Sequence, residues 1–291
     1  MPDDVTPATT GPTSAPISPI SSTAPSASST ASPISSTTSS GSLPGRARLY
    51  AALGEPVRLA IVDHLALGDA SPGELGVVVG LPTNLLAHHL RVLEAAGLIR
   101  RVRSEGDKRR SYVQLRWDDE VVARLLSASV TGPGGIVPRV MFVCTHNSAR
   151  SQLAAAAWAR VSLIPVACAG TRPAARVHPG AVEVGRRHGL RLGRARTHRV
   201  TDTVRAGDLI VAVCDHAHEE LVADPPGPPG ADGPGTDGPG AGTIAAPASG
   251  RTWLHWAVPD PVRVGTDEAF EAVYADLTHR IDRLAGALRV D

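Results

Sequence analysis

The sequence predicts two domains, a mainly α-helical domain followed by an α/β domain built on a doubly wound parallel sheet. Three observations predict this. The chain has 291 residues, which exceeds the usual size of a single domain. Its composition changes abruptly, from a start rich in Ser, Thr, Ala and Pro to regularly patterned segments. The patterned part begins with helix-like spacing of apolar residues and ends with alternating strand-like and helix-like segments.

The composition excludes several classes of protein. Three cysteines, Cys144, Cys168 and Cys214, lack the close pairing of a disulfide framework or a zinc site, so we expect no metal. No apolar run approaches the length of a membrane span, and the N-terminus lacks a signal core. We therefore expect a soluble cytoplasmic protein without membrane contact.

Residues 1–45 and 46–130 differ sharply in pattern. The first range is almost entirely Ser, Thr, Ala and Pro, which predicts a disordered tail. In the second, apolar residues recur at helical spacing, and Ser71–Glu74 is typical of a helix start. A helix is predicted over residues 83–96, followed by two short strands. The predicted strands are Ile99–Arg103 and Ser111–Leu115, and a turn joins them. This basic hairpin, placed after the helices, completes the pattern of a winged helix-turn-helix.

Residues 131–137 form a Gly- and Pro-rich linker before the second domain, residues 138–291. Val140–Val143 predicts a buried strand. Further strands and helices alternate after it, with strands at 165–169, 208–213 and 253–258 and helices near 178–188, 217–222 and 267–288. The alternation predicts the doubly wound parallel sheet, interrupted by a flexible Pro- and Gly-rich insertion over 223–250.

The loop Cys144–Ser151 carries the chemistry of the second domain. A thiol directly follows a strand, and an Arg six positions later begins a helix. Backbone N–H groups and the helix N-terminus can surround a tetrahedral anion and favour a nucleophilic thiolate at Cys144. Arg150 can donate two parallel hydrogen bonds to an oxyanion, Ser151 can donate to the sulfur, and Asn147 can hold the loop. The predicted oxyanion-binding residues are Thr145, His146, Asn147, Ser148, Ala149 and Arg150.

With this loop, residues 138–291 resemble the low-molecular-weight protein tyrosine phosphatase superfamily. The resemblance implies that Asp260, in Pro259-Asp260-Pro261, acts as the general acid, so the implied catalytic residues are Cys144, Arg150, Ser151 and Asp260. Taken alone, this Asp-Pro pair is also compatible with an ordinary turn.

Two details make the domain similar to the arsenate reductase branch of that superfamily. Gln152 follows Ser151 where phosphatases commonly have Pro, and Val262 stands where they usually place a Tyr. A flat aromatic substrate loses its stacking partner at Val262. We therefore expect arsenate or phosphate as the ligand, and arsenate reduction as the activity.

Reduction requires a second thiol. The resemblance to thioredoxin-coupled reductases makes Cys214 a candidate resolving thiol, but Leu221 stands where those enzymes have a further cysteine. We expect no bound cofactor. An external donor such as mycothiol, glutathione or a thioredoxin system is one alternative, direct pairing of Cys144 with Cys214 is another, and anion binding without turnover is the third.

Residues 46–130 resemble ArsR-type winged-helix repressors, through Ala52–Leu59, Leu90–Leu98 and the basic hairpin. The resemblance implies a homodimer on double-stranded DNA. The candidate base-facing residues are Thr83, Asn84, Ala87, His88 and Arg91. The candidate phosphate contacts are Arg101, Arg103, Lys108, Arg109 and Arg110. This domain holds no cysteine, which excludes thiolate sensing of arsenite within it.

The sequence thus favours a bifunctional transcriptional regulator and arsenate reductase. Two alternatives remain open. One is a regulator whose phosphatase-like domain senses an oxyanion without turnover, and the other is a low-molecular-weight protein tyrosine phosphatase.

Overall fold

The computed structural model of the chain describes residues 40–127, 137–226 and 253–288. Most of the predicted tail, linker and insertion lie outside these residues. Two of their edges are helical instead, which corrects the predicted boundaries. The first helix begins at Leu43, inside the predicted tail, and a later helix ends at Ala223, the first residue of the predicted insertion.

The N-terminal half consists of helices and one antiparallel hairpin, as predicted. Its elements are α1 (Leu43–Leu53), α2 (Pro56–Leu65), α3 (Pro72–Val79), α4 (Thr83–Ala96), β1 (Ile99–Arg103), β2 (Ser111–Leu115) and α5 (Glu120–Ser127). The predicted bounds of α4 and both strands are confirmed. Ser71 and Glu74 form a reciprocal capping box on α3, and Gly97 ends α4 in the left-handed conformation. We call the β1–β2 hairpin and its turn, residues 99–115, the wing.

The C-terminal half contains a four-stranded parallel sheet with a helix in every connection. Its elements are β3 (Val140–Cys144), α6 (Arg150–Val161), β4 (Val166–Gly170), α7 (Pro179–Arg187), α8 (Val200–Thr203), β5 (Leu209–Ala212), α9 (Asp215–Ala223), β6 (Trp253–His255), α10 (Pro261–Val264) and α11 (Asp267–Ala287). The strand order is β4-β3-β5-β6, and all the pairs are parallel, which confirms the predicted fold class.

Each half has its own hydrophobic core. In the N-terminal half, Leu86, Leu90 and Leu93 of α4 are buried, as their helical spacing predicts. In the C-terminal half, the central strand β3 is buried along its whole length. No helix of the described ranges is both long and apolar enough to cross a membrane.

A buried polar network joins the two halves within one compact unit. Asp69 lies in the N-terminal half, between α2 and α3. Its Oδ2 accepts hydrogen bonds from Gln114 Nε2 at 2.9 Å and from the backbone N–H of Ala257 at 2.7 Å, and it pairs with Arg280 Nη1 at 3.0 Å. One carboxylate oxygen therefore contacts the wing, the segment after β6 and the last helix.

Aromatic side chains cover the rest of this contact. The indole N–H of Trp256 donates to the carbonyl of Leu67 at 2.7 Å. The ring of Tyr112, on the wing, lies 4.3 Å from the ring of His255 between centroids. Because the tryptophan is fully buried, its hydrogen bond to the other half replaces one that water would otherwise make.

Candidate active site

The Cys144 loop lies between the end of β3 and the start of α6. Cys144 is the last residue of the strand, and Arg150 is the first residue of the helix. On the neighbouring strand, Gly170 pairs with Cys144. A Cβ at position 170 would lie 2.7 Å from the Thr145 carbonyl oxygen and 2.9 Å from the Asn147 nitrogen. Only glycine therefore allows β4 to approach the loop this closely.

Asn147 holds the loop in shape. It has a φ of 49°, in the left-handed region, and is fully buried. Its Nδ2 donates to Ser151 Oγ at 2.9 Å, and its Oδ1 accepts from the backbone N–H of His198 at 2.9 Å. Gln152 Nε2 donates to the Asn147 carbonyl at 3.1 Å. These hydrogen bonds fix the shape of the loop from within the protein.

The Cys144 thiol is buried and faces hydrogen-bond donors. Its sulfur lies 3.0 Å from Ser151 Oγ and accepts from the backbone N–H of Asn147 at 3.2 Å. Since Ser151 Oγ already accepts from the Asn147 amide, its proton is free to point at the sulfur. The N-terminus of α6 adds positive potential at the same place. The sulfur therefore faces a hydroxyl, a backbone N–H and a helix N-terminus, an arrangement suited to a nucleophile.

Arg150 and Asp260 meet beside this thiol although 110 residues separate them. Arg150 Nη2 lies 3.3 Å from Asp260 Oδ2, and Arg150 Nη1 donates to the Val258 carbonyl at 3.0 Å. Asp260 caps α10 by accepting from the backbone N–H of Val262 at 3.2 Å. Its side chain is 26% exposed, so it can exchange protons with solvent.

The guanidinium of Arg150 sits in a negative environment. Burial acts to lower the pKa of Arg150, but anionic forms of its neighbours outweigh burial and raise it. Those neighbours are Cys214, Cys144, Asp260 and Glu105. A fixed cation beside a thiol and an acid is suited to bind an oxyanion next to a nucleophile.

The other predicted loop residues are placed around this centre. Thr145 and Ala149 are buried, Ser148 is half-buried, and His146 is exposed. Their backbones form the turn between strand and helix, and the carbonyl of Ser148 accepts from the backbone N–H of His178 at 2.8 Å.

The two remaining cysteines both lie close to the loop. Cys214 follows β5, and its sulfur lies 3.5 Å from Thr145 Oγ1. Burial raises the pKa of the Cys214 thiol. Burial also raises the pKa of Cys168, on β4, to about 11. Leu221 lies two turns along α9 from Cys214 and is buried in the core.

One acidic residue at this site was missed by sequence reasoning. Glu105, in the turn of the wing, places its Oε2 3.6 Å from Arg150 Nη1 and accepts there from the Asp260 backbone N–H at 3.1 Å. Its Oε1 lies 2.7 Å from Arg263 Nη2. The only sequence signal is an acidic turn within an otherwise basic hairpin, which does not indicate a partner.

The predicted DNA-facing residues lie on α4 and the wing. On α4, Thr83, Asn84, His88 and Arg91 are exposed, and Ala87 is half-buried. The predicted phosphate contacts on the wing are all exposed, namely Arg101, Arg103, Lys108, Arg109 and Arg110. Two of them have acidic neighbours, since Arg101 lies 3.4 Å from Glu94 and Arg110 lies 3.6 Å from Asp107.

Comparison with solved structures finds partial likenesses. An arsenate reductase from Archaeoglobus fulgidus is 23% identical, with 50% of this chain and 98% of that chain covered and a TM-score of 0.36. The tyrosine phosphatase Wzb from Escherichia coli K30 is 22% identical, with 52% and 98% covered and a TM-score of 0.41. The tyrosine phosphatase amsI from Erwinia amylovora is 21% identical, with 54% and 96% covered and a TM-score of 0.40.

Family models give the assignment. Among curated proteins, none matches the chain. The helix-turn-helix domain model matches residues 53–102, and the low molecular weight phosphotyrosine protein phosphatase model matches residues 139–227. These two matches cover α4 and the Cys144 loop. The chain therefore combines a helix-turn-helix domain with a domain of the low-molecular-weight phosphotyrosine protein phosphatase family.

Proposed function

We propose that this chain is a DNA-binding transcriptional regulator whose phosphatase-family domain reduces arsenate. The observation that carries the proposal is the convergence of a thiol, a hydroxyl, a guanidinium and a carboxylate at one loop. Cys144 lies 3.0 Å from Ser151, and Arg150 lies 3.3 Å from Asp260. This set supplies a nucleophile, its activator, an anion ligand and a proton donor.

In the proposed ground state, arsenate occupies the curve of the loop. Its oxygens accept from the backbone N–H groups of residues 145–150 and from the guanidinium of Arg150. The N-terminus of α6 contributes to the same charge stabilisation. The arsenic atom then faces the sulfur of Cys144.

In the first step, the Cys144 thiolate attacks arsenic and forms a sulfur–arsenic bond. One arsenate oxygen leaves as water, with a proton delivered by Asp260. Ser151 stabilises the thiolate before attack through its hydroxyl. The arsenic remains pentavalent in the adduct, so no electron has yet been transferred.

In the second step, another thiolate attacks the sulfur of Cys144. A disulfide forms, the electron pair of the sulfur–arsenic bond passes to arsenic, and arsenite leaves. The two sulfurs together supply the two electrons. Cys214 is the internal candidate for this thiol, and an external thiol such as mycothiol or glutathione is the alternative. A Cys144–Cys214 disulfide would need a thioredoxin system or another thiol for its reduction.

Arsenate is preferred over a phosphotyrosine peptide because the entrance lacks an aromatic wall. Val262 is 37% exposed at the start of α10 and offers no ring for stacking. A small inorganic oxyanion suits this entrance best.

Phosphotyrosine hydrolysis is the second candidate, favoured by the family match over residues 139–227. It would use the same thiolate and the same acid, with water cleaving a cysteinyl-phosphate intermediate. A sensor without turnover is the third candidate. It is favoured by Leu221, which removes the second relay cysteine from α9.

For the N-terminal half, we propose binding to double-stranded DNA as a homodimer. The exposed residues of α4 would enter the major groove, and the cations of the wing would contact phosphates. The helix-turn-helix match over residues 53–102 supports this part of the proposal.

The test is arsenite formation by the purified full-length chain from arsenate and a panel of thiol donors. We expect turnover with at least one donor and none in Cys144→Ala. Cys168→Ser is the matched control and should retain turnover. Cys214→Ser distinguishes Cys214 from an external thiol as the group that attacks the adduct. It should abolish turnover only if Cys214 is that group.

The same proteins should be assayed with a phosphotyrosine peptide. Hydrolysis that depends on Cys144, without arsenite from any donor, would establish the phosphatase alternative instead. Arsenate binding without either product would establish the sensor.

A further inference from the structure

The turn of the wing is docked on the first turns of α9, beside the active site. The backbone N–H of Glu105 donates to Asp215 Oδ2 at 2.7 Å. The backbone N–H of Asp107 donates to Glu219 Oε2 at 2.8 Å, and Ser104 Oγ donates to Glu219 Oε1 at 2.7 Å. Two carboxylates of the phosphatase-family domain therefore hold the turn of the DNA-binding domain.

Docking of the turn places the carboxylate of Glu105 against hydrogen-bond donors of the proposed oxyanion site. The carboxylate of Glu105 lies against Arg150, Arg263 and the backbone N–H of Asp260. Its side chain is 23% exposed and that of Arg150 only 8%, so water screens their interaction weakly. Among these groups, Arg150 is the one that the proposed reaction assigns to the oxyanion.

We propose that Glu105 is a competing internal anion, so that oxyanion binding at the Cys144 loop and docking of the wing oppose each other. This inference rests on the proposed function, because it takes the Cys144 loop as an oxyanion site. A bound dianion would draw Arg150 toward itself and place like charge beside the Glu105 carboxylate. Linkage is reciprocal. A docked turn therefore lowers the affinity of the site for the anion, and a bound anion lowers the stability of the docked turn.

Release of the turn of the wing from α9, with β2 still held at Gln114 and Tyr112, has a consequence for the proposed DNA contact. In the docked state Ser104 is buried and Glu105 is half-buried, so the turn packs against α9 and does not move independently of it. Lys108, Arg109 and Arg110 follow this turn directly. These cations are exposed in the docked state too, so release would change their position rather than their exposure, and we expect occupancy of the oxyanion site to alter the fit of the wing to DNA.

The first test measures the affinity of inorganic phosphate for the full-length chain by calorimetry. Glu105→Gln removes the charge and keeps an acceptor for the Asp260 N–H, and we expect phosphate to bind at least about fivefold more tightly. Asp107→Asn is the matched control, since it removes the same charge from the same turn. Within the described residues, the Asp107 side chain pairs with Arg109 and Arg110 of its own hairpin, so the phosphate affinity of this variant should stay at the wild-type value.

The second test measures hydrogen exchange at the amides of Glu105 and Asp107, which the α9 carboxylates now protect. Saturating phosphate should speed their exchange in the wild-type chain. Gly106→Ala provides a second route to release, because its Cβ would lie 2.3 Å from Glu219 Oε2. The Asp107 amide of this variant should exchange fast without phosphate, because the displaced Glu219 carboxylate is its acceptor, and the variant should bind phosphate more tightly than wild type does.

The outcomes separate the two proposals. Phosphate binding of equal strength in wild type, Glu105→Gln and Gly106→Ala would overturn the competition and leave the oxyanion site standing. Equal tightening in Asp107→Asn would also overturn it, because general charge would then explain the effect. Absence of phosphate binding in all four proteins would overturn the oxyanion site, and the competition with it.

Discussion

The Oδ2 atom of Asp69 lies 3.0 Å from Nη1 of Arg280, and the two side chains are 4% and 7% exposed. Burial acts to lower the pKa of the Arg280 guanidinium, but Asp69 and Asp276 outweigh it and raise the pKa. This ion pair is almost completely shielded from solvent, and it joins the N-terminal half to the last helix. Each partner compensates the buried charge of the other, and Asp276 Oδ1 is a second acceptor for Arg280, 3.0 Å from its Nε.

Replacing Asp69 with Ala should destabilise the whole chain by about 3–5 kcal/mol. The change leaves Arg280 unpaired by Asp69 and removes the acceptor for Gln114 and Ala257. The free energy of unfolding from urea titration measures the effect. Glu120→Ala is the control, since its exposed pair with Arg124 is worth only about 0.5 kcal/mol. A loss as small as the control's would show that the buried network does not join the halves.

Substitution of Asn147 should separate backbone strain from side-chain bonding. Asn147→Ala loses the amide contacts to Ser151 and His198 and also places a less tolerant residue at a φ of 49°. Asn147→Gly loses the same contacts but accepts that φ freely. We expect the alanine variant to be less stable than the glycine variant by about 1 kcal/mol in thermal or urea unfolding. Equal stability would mean that the loop relaxes its backbone.

Acid should weaken the contact between Glu74 and His218, whose Oε1 and Nε2 atoms lie 3.3 Å apart across the two halves. Burial acts to raise the pKa of Glu74, but the hydrogen bond and charge of His218, with Ser71, lower it from 4.5 to about 2. A lowered carboxyl pKa stabilises the folded state fully above pH 4.5, and this contribution is lost as the pH falls toward 2.

The measurement is the difference in unfolding free energy between wild type and Glu74→Gln as a function of pH. Glutamine preserves the capping box with Ser71, so the difference reports the charge. We expect an advantage for wild type at about pH 5 and a decline of that advantage as the pH falls below 4.5. An advantage that stays constant down to pH 2.5 would contradict the assignment.

Removal of two wing cations should weaken DNA binding without changing the fold. Arg109→Ala with Arg110→Ala should lower the slope of log affinity against log salt by about 2, because each phosphate contact contributes close to one counterion. Arg186→Ala with Arg187→Ala, on α7, removes the same charge from the other half and should leave the slope unchanged. Equal slopes in both double variants would exclude the wing from the DNA contact.

Much of the fold was predictable because it depends on local pattern. The helical spacing of Leu86, Leu90 and Leu93 and the glycine that follows define α4 to the residue. Helices α8 and α10 were not predicted, since each is a single turn of four residues and shows no periodicity. Helix α5 was also missed, although it is longer.

The residues of the site also differ in how far the sequence predicts them. Cys144, Arg150 and Ser151 are neighbours in sequence, so strand, loop and helix alone bring them together. Asp260 was placed by family resemblance. Glu105 could not be found, because its contact with Arg150 depends on how two separately folded cores pack, and a hydrophobic pattern carries no information about that packing.

The bond from the Trp256 indole to the Leu67 carbonyl has a practical consequence for anyone who divides this chain. Cutting between the halves would leave that indole without its acceptor and the Arg280 guanidinium without Asp69. Each fragment would expose to solvent a partly apolar, partly polar surface that is buried in the intact chain. We therefore expect each half to be less stable alone than within the intact chain.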